Sequence, residues 1–302
     1  MTRTLRFSLW PGPGNSWAET LDLCRHAEAS GWDGAWYADH FMPNAEDVSG
    51  PTNECFTTLA GLAAAVPRIR LGSLVAGNTY RHPAVLAKMA AGIDNISGGR
   101  MVLGLGAGWQ ENEHAAYGIA FHTVGGRLRR LEEACQVVRG LFDHGRLSFE
   151  GRYYRLQGAP LEPKPVQQPL PLLVGGGGEQ ITLRIAARYA NEWNVWGTPD
   201  LLRQKIAVLE RHCAEAGRDP REIRRSANAL LILTDDEALI ERTRATGRPL
   251  IAGSVGMVQE TLAMYLEAGV DEVIIPDFNL GRGERRREQL DRFIHEAAAP
   301  FR

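Results

Sequence analysis

The sequence predicts an α/β fold, a (β/α)8 TIM barrel with a large insertion after the fourth strand. Eight short apolar runs alternate with segments of helical periodicity along the 302 residues. This alternation is typical of a parallel sheet covered by helices. Residues 70–114 contain a strand, a helix and a strand joined by short links, which is a βαβ unit. An open doubly wound sheet is the alternative. The predicted strands number eight and show no clear reversal of strand order halfway along the chain, which disfavours this alternative.

Local signals place the elements along the chain. Asn15 or Ser16 caps the first helix, Pro83 suits a first helical turn, and Gly98 suits a left-handed helix end. The predicted strands cover 5–9, 34–37, 69–76, 101–105, 171–174, 192–195, part of 223–233, and 272–275. The predicted helices cover 17–31, 56–65, 83–97, 111–117, 126–142, 179–190, 199–216, 254–268 and 282–298.

We expect a single domain, 1–302, in which an insertion of about 109–171 covers the mouth of the barrel. This segment contains two helices and a hairpin over 147–156 that turns at Gly151. A proline-rich stretch, 160–171, then makes a stiff and extended return to the barrel. A segment of this length between barrel strands is usually functional.

Charge and hydropathy narrow the class of protein. The formal net charge of -2 provides no basic surface for nucleic acid. No apolar run is long enough to span a bilayer, and the N-terminal apolar stretch is too short for a signal peptide. The four cysteines form no C-x-x-C pair, which indicates reduced thiols. We therefore expect a cytoplasmic protein that acts on a small-molecule substrate, with no nucleic acid or membrane partner.

Two glycine clusters stand at predicted strand ends. Four consecutive glycines join a strand to a helix, where bare backbone N–H groups can hold an anion. These glycines are Gly175, Gly176, Gly177 and Gly178. The second cluster reads GLGAG over 104–108, and it lacks the spacing of a dinucleotide fingerprint. Together they suggest two loops that share one phosphate-bearing ligand, and a plain tight turn is the alternative for the four-glycine run.

Polar and aromatic residues at the strand ends are candidates for the chemistry. Asp39 and His40 follow the second strand, and a histidine in a barrel mouth can move protons near neutral pH. The alternative is that Asp39 holds His40 only for loop structure. Trp109 follows the glycine cluster and is the tryptophan that we expect to face a flat ring. Glu111 and Glu113 read as helix N-terminal acids, and a lone Glu-x-x-His pair predicts no metal site.

These residues together resemble the luciferase-like monooxygenase superfamily, most closely its branch that uses the 8-hydroxy-5-deazaflavin coenzyme F420. The matching segments are GWDGAWYADHFMP over 31–43, LVAGNTYRHPAVLAKMAAGIDNISGGRMVLGLGAGWQENEHAAYGI over 74–119, PLLVGGGGEQITLRIAARYANEWNVWG over 171–197 and AGVDEVIIP over 268–276. The resemblance covers nearly the whole chain. It implies a (β/α)8 barrel with an insertion, and a homodimer.

The resemblance also implies roles for individual residues. A non-prolyl cis peptide that backs the coenzyme ring falls at Ser73-Leu74 or at the next bond, to Val75. Asn112 lies near the ring, and Asp39 and His40 lie beside its reactive carbon. The coenzyme phosphate is held by backbone N–H groups of Ala107, Gly108, Gly176, Gly177 and Gly178. One departure concerns Trp109, which stands where the sugar-phosphate dehydrogenases of this family place a catalytic glutamate, and this argues against sugar-phosphate oxidation.

The sequence thus favours a coenzyme F420-dependent oxidoreductase that transfers hydride to or from a small organic substrate, with His40 as proton partner. A two-component monooxygenase that uses flavin mononucleotide (FMN) is the first alternative, since Gly-Ala-Gly-Trp also occurs in flavin-using relatives. A non-catalytic flavin-binding barrel is the second, and a lyase or isomerase acting on a phosphorylated metabolite is a third. The substrate is not evident from the sequence.

Overall fold

A ring of parallel strands closes on itself in the computed structural model, which describes residues 3–302. In those residues the strands are β1 Arg6–Trp10, β2 Gly34–Tyr37, β3 Arg70–Ser73, β4 Ala76–Gly77, β5 Met101–Gly106, β6 Arg146–Glu150, β7 Arg155–Pro160, β8 Leu172–Gly175, β9 Glu192–Trp196, β10 Arg224–Asn228, β11 Leu230–Leu233, β12 Leu250–Gly253 and β13 Glu272–Pro276. The barrel order is β3, β2, β1, β13, β10, β9, β8, β5, and pairing of β5 with β3 closes the ring. The predicted (β/α)8 barrel is confirmed.

Helices cover the outside of this ring. Over the described part of the chain they are α1 Trp17–Ser30, α2 Cys55–Ala65, α3 Pro83–Ser97, α4 Glu111–Ala116, α5 Val124–Asp143, α6 Thr182–Tyr189, α7 Pro199–Glu215, α8 Glu237–Arg244, α9 Val255–Glu267 and α10 Gly283–Arg292. A π-helical turn, Phe293–Ala297, ends the segment predicted as one last helix. Among residues 3–302, no helix is long and apolar enough to cross a membrane.

The helix ends follow the predicted signals. Ser16 caps α1 in a capping box with Glu19, an arrangement that stabilises a helix by about 1 kcal/mol. Pro83 occupies the first turn of α3, and His82 accepts a hydrogen bond from the second residue of that helix. Gly98 ends α3 with φ 68°, which is the left-handed conformation that favours glycine.

A buried charged layer fills the N-terminal end of the barrel. Arg70 forms ion pairs with Glu192 and, at 3.4 Å, with Glu272. Glu272 also accepts a hydrogen bond of 2.9 Å from the indole N–H of Trp36. A β-carbon on Gly72 would lie 2.3 Å from the Trp36 ring, so glycine makes room for it. The opposite end, where the strands finish, is the end at which barrels of this fold class bind their ligands.

Two predicted strands are corrected by the structure. The strand predicted over 69–76 is interrupted between Ser73 and Ala76. The run 223–233 is two strands, because the chain leaves the barrel at Ala229 and β11 pairs with β12 in a separate parallel sheet. Helix α8 and strand β12 had no counterpart in the prediction, and α6 begins at Thr182 rather than at 179.

The segment 109–171 contains α4, α5 and a hairpin of β6 and β7. Helix α5 packs against α3 and α6 in the outer ring, as a regular barrel helix does. Helix α4 lies at the mouth, where its residues contact the loop that follows β2. The role of the whole segment as a cover over the mouth stays a prediction.

Candidate active site at the mouth of the barrel

The interruption between β3 and β4 is a bulge, and it forms the floor of the barrel mouth. The peptide bond between Leu74 and Val75 is cis, at the second of the two positions that the resemblance implies. Ser73 fixes the bulge to β5, because its hydroxyl donates to the Gly104 carbonyl at 2.8 Å and accepts from the Gly104 N–H at 3.0 Å. Leu74 is buried inside the barrel. The bulge therefore presents an apolar surface at the strand ends.

Glycines on the neighbouring strands make room for this bulge. A β-carbon on Gly104 would lie 2.0 Å from the carbonyl oxygen of Ser73. β-carbons on Gly106 and Gly175 would lie 2.7 and 2.8 Å from the methyl groups of Val75. Gly175, which we predicted as a cofactor-binding residue, thus has a packing function that its place in a four-glycine run did not reveal.

The two glycine loops also offer backbone N–H donors. Across residues 3–302, the N–H groups of Ala107, Gly108, Gly177 and Gly178 have no hydrogen-bond partner. The two loops lie side by side, because β5 and β8 pair in parallel up to the residues just before them. The N–H of Gly176 donates instead to the carbonyl of Asn194 at 2.9 Å, so this donor is not available to a ligand.

His40 is held by Glu113, a residue of α4. The Nδ1 atom of His40 lies 3.0 Å from Glu113 Oε2, and Tyr80 donates its hydroxyl hydrogen to the same oxygen. The other carboxylate oxygen accepts from the backbone N–H groups of Phe41 and Met42. The Glu113 side chain is fully buried, whereas that of His40 is 23% exposed. The histidine is therefore oriented by a carboxylate while its far edge faces the mouth.

The hydrogen bonds keep Glu113 ionised. Burial raises the pKa of a carboxyl group, but the donors from His40, Phe41 and Tyr80 outweigh burial, so the pKa of Glu113 lies below its usual value. Burial and the neighbouring carboxylate raise the pKa of the Tyr80 hydroxyl. From the sequence, Glu113 is expected only as an acid at the N-terminus of a helix. Nothing in its separation from His40 along the chain indicates that the two side chains pair.

Asp39 does not contact His40 in this arrangement. Its carboxylate accepts hydrogen bonds of 2.7 and 3.0 Å from the Arg81 guanidinium and one of 3.0 Å from the Gly77 N–H. Burial raises the pKa of Asp39, although Arg81 and Gly77 oppose that rise. Arg81 also reaches Glu54 at 2.5 Å. Asp39 is thus a buried carboxylate that holds Gly77 and Arg81, two residues that follow the bulge, in place.

Trp109 and Asn112 lie at the edge of the mouth. The Trp109 ring packs edge-on against the His40 ring, with centroids 5.4 Å apart, and is 60% exposed. Asn112 is exposed, and its side-chain oxygen accepts from the N–H of Glu113 at 2.9 Å. The structure therefore brings Trp109 to His40, whereas Asn112 stabilises the first turn of α4.

A second wall of the mouth is aromatic. Trp10 and Trp196 lie at the ends of β1 and β9, with ring centroids 5.7 Å apart. Phe278, which follows β13, lies 5.3 Å from Trp10. Arg248, in the segment between α8 and β12, lies over Trp196 and Phe278. Arg248 was missed from the sequence because neither α8 nor β12, the elements on either side of it, was predicted. Phe278 follows a strand that was predicted, but nothing in the sequence sets this phenylalanine apart from a core residue.

The site thus combines free backbone donors on two adjacent loops with a histidine that a carboxylate orients. These features define a class of barrel protein whose mouth is suited to an anionic ligand. A cluster of three or more histidine, cysteine or acidic side chains that could hold a metal is absent from residues 3–302. The chain belongs to the luciferase-like monooxygenase family, whose family model matches residues 3–299.

Three known proteins show the range of the similarity. An F420-dependent glucose-6-phosphate dehydrogenase of Kineococcus radiotolerans is 33% identical over 228 residues, which are 74% of this chain and 66% of that protein. A pyrimidine monooxygenase of Stutzerimonas stutzeri is 34% identical over 171 residues, 55% of this chain and 47% of that protein. The structure of a coenzyme F420-dependent tetrahydromethanopterin reductase from Methanopyrus kandleri superposes with a TM-score of 0.83 at 21% identity, covering 100% of both chains. The alignments span 50–66% of the length of three such dehydrogenases.

Proposed function

We propose that this protein is an oxidoreductase that uses coenzyme F420 and transfers hydride between this coenzyme and a small organic substrate, with His40 as the proton partner. The family and the 33% identity to an F420-dependent dehydrogenase support the reaction class. One observation carries the proposal: the buried carboxylate of Glu113 fixes His40 beside the bulge and the free backbone donors. A site that only stored a cofactor would not need a proton partner.

The residues present fit such a coenzyme. The free N–H groups of Ala107, Gly108, Gly177 and Gly178 suit a phosphate. The apolar bulge at Leu74 and Val75 suits a flat ring, and the buried amide nitrogen of Asn78, next to the bulge, has no partner among residues 3–302. Hydride chemistry is what the coenzyme supplies when it is bound.

The protein's own residues would control the proton. With Nδ1 directed at the Glu113 carboxylate, the neutral His40 ring carries its hydrogen on Nδ1 and a lone pair on Nε2. His40 Nε2 can then accept a proton from a substrate hydroxyl, or return it in the reverse direction. Tyr80 holds the same carboxylate oxygen, which keeps the ring from turning. Trp109 packs edge-on against the His40 ring and restricts its movement on that side.

The second candidate function is an FMN-dependent two-component monooxygenase. The 34% identity to a pyrimidine monooxygenase favours it. Trp109, an indole at the position of a catalytic glutamate in the sugar-phosphate dehydrogenases, is compatible with either function. We expect the homodimer that the family resemblance implies in either case, and light scattering would measure it as twice the monomer mass. A cytoplasmic location stays a prediction.

The test is a side-by-side titration of the purified protein with coenzyme F420 and with FMN. We expect a dissociation constant of about 1 μM for coenzyme F420, equivalent to about 8 kcal/mol, and weaker binding of FMN. Preference for FMN would favour the monooxygenase, and binding of neither would contradict both functions.

The proton role of His40 needs its own variant. His40→Gln should retain coenzyme affinity within about twofold and lose at least about 100-fold in turnover with any alcohol, ketone or enone that supports activity. His144→Gln, at an exposed histidine beyond α5, is the matched control. Full turnover by His40→Gln would contradict the assignment.

A further inference from the structure

Arg248 is a cation held at the mouth without an acidic partner. Its guanidinium carbon lies 5.1 Å from the centroid of the Trp196 ring and 5.8 Å from that of Phe278. Within residues 3–302, its side chain makes no salt bridge and no hydrogen bond. Aromatic faces attract a guanidinium without using its N–H groups. All five N–H donors of Arg248 therefore remain available to a ligand.

The aromatic side chains below Arg248 form a continuous surface from the bulge to the rim. We call Trp10, Trp196 and Phe278 the aromatic wall. Trp10 and Leu74 belong to the same cluster inside the barrel, and Trp196 packs against that cluster. Phe278, at the outer end of the wall, is 46% exposed. A ligand that enters the mouth toward the bulge therefore passes an apolar, flat-sided surface that ends at a cation.

The acidic residue closest in sequence to the aromatic wall, Asp277, is already occupied by other hydrogen-bond donors. Asp277 accepts hydrogen bonds of 2.9 Å from the Gly12 N–H, 2.8 Å from Asn15 and 2.7 Å from Arg286. Its carboxylate thus serves the β1 and β13 loops rather than Arg248. An exposed guanidinium that rests on aromatic rings and has no carboxylate of its own is arranged to pair with an acceptor brought from outside.

We propose that the substrate is a flat organic acid, whose apolar body lies on the aromatic wall and whose carboxylate pairs with Arg248. This inference rests on the proposed function, because it names the substrate class of the same site. Arg248 acts as a specificity residue: its two parallel N–H donors match the two oxygens of a carboxylate, and the wall matches a planar body. A neutral molecule of the same shape gains only the contact with the wall.

The test uses two probes of one shape, naphthoate and naphthamide, titrated calorimetrically into the protein with and without saturating coenzyme F420. Wild type should bind naphthoate about tenfold more tightly than naphthamide. Arg248→Met should abolish this preference and leave naphthamide affinity unchanged, whereas Arg248→Lys should retain part of it. Phe278→Ala should weaken both probes to a similar degree.

The control is Arg221→Met, at an exposed arginine before β10 and therefore at the other end of the barrel. It should keep the wild-type preference. Equal affinity of wild type for the two probes, binding of neither, or an unchanged preference in Arg248→Met would overturn the inference. Failure of the coenzyme to bind, with the naphthoate preference intact, would instead count against the proposed function.

Discussion

Replacing Gly104 with alanine tests whether the bulge after β3 requires a glycine at this position of β5. The new β-carbon would lie 2.0 Å from the carbonyl oxygen of Ser73 and 3.1 Å from a methyl group of Val75. The first contact is with backbone, so it cannot be relieved by a side-chain rotation. Real β-carbon contacts stay above 3.0 Å, and β3 or β5 must therefore move by about 1 Å in a close-packed interior.

A shift of that size in two buried strands should cost about 3 kcal/mol, the upper end of the range for overpacking. The assay is urea unfolding followed by tryptophan fluorescence and by circular dichroism, with agreement of the two probes as the check on two-state behaviour. Because the bulge would move, coenzyme affinity should fall by at least about tenfold, which is 1.4 kcal/mol.

Gly92→Ala is the matched control for this prediction. Gly92 lies inside α3, and an added β-carbon there has no heavy atom within 4 Å. The same substitution should raise stability by about 0.5–1 kcal/mol, since alanine is the better helix former. The reasoning would be refuted if the free energy of unfolding of Gly104→Ala lay within about 0.5 kcal/mol of wild type, which is typical of a tolerated surface substitution, and its coenzyme affinity were unchanged.

The other predictions concern buried polar groups. Glu113→Gln should lower turnover about 10- to 100-fold with coenzyme affinity nearly unchanged, and nitrogen chemical shifts of the His40 ring should show loss of the single Nδ1–H tautomer; an unchanged tautomer would contradict the role of Glu113. Because the folded-state pKa of Glu113 is lowered, wild type should be more stable than this variant above pH 4.5, and the difference should shrink as the pH falls through the folded pKa; a constant difference in urea unfolding would contradict this. Arg81→Met should cost about 3 kcal/mol in unfolding free energy, because it leaves the carboxylate of Asp39 buried without its cation; a loss below about 1 kcal/mol would count against the ion pair. Burial raises the pKa of all four thiols, to about 12 for Cys24, so Ellman's reagent at pH 8 should label none in the native state and all four after unfolding.

The barrel was predictable because most of its strands are short apolar runs with a clear stop. Strand β2 is predicted at its observed bounds, since Gly34 begins it and the polar pair Asp39-His40 follows soon after Tyr37. The run 223–233 contains no such stop: Asn228 and Ala229 do not mark a turn, and the chain leaves the barrel there because β11 finds β12 as a partner. Strand β12 was not predicted, and the helix before it, α8, buries only Ile240, so α8 shows little of the apolar periodicity that predicts a helix.

The glycines of the site illustrate a limit of a different kind. Gly175 and Gly177 are two residues apart in one run, yet the first makes room for Val75 and the second leaves its N–H free. The difference arises from a side chain about 100 residues earlier in the chain, which only the closed barrel brings alongside. The sequence therefore indicates a glycine loop at a strand end, but it does not show which glycine is needed for packing and which leaves its N–H unpaired. The binding of a coenzyme phosphate by this loop stays a prediction.

Asp39 and His40 show how neighbours in sequence can serve different partners in a site. Successive side chains of an extended chain point to opposite sides, and beyond β2 the two diverge, Asp39 to Arg81 and His40 to Glu113. Arg81 lies in the loop after β4 and Glu113 in the helix after β5, so their positions depend on the parallel order of the barrel. The alternation itself is visible in the sequence, and it would have argued against an Asp39–His40 pair. The alternation does not identify Glu113 as the carboxylate that contacts His40. That contact forms because β5 pairs with β3, which brings α4, the helix after β5, close to the end of β2.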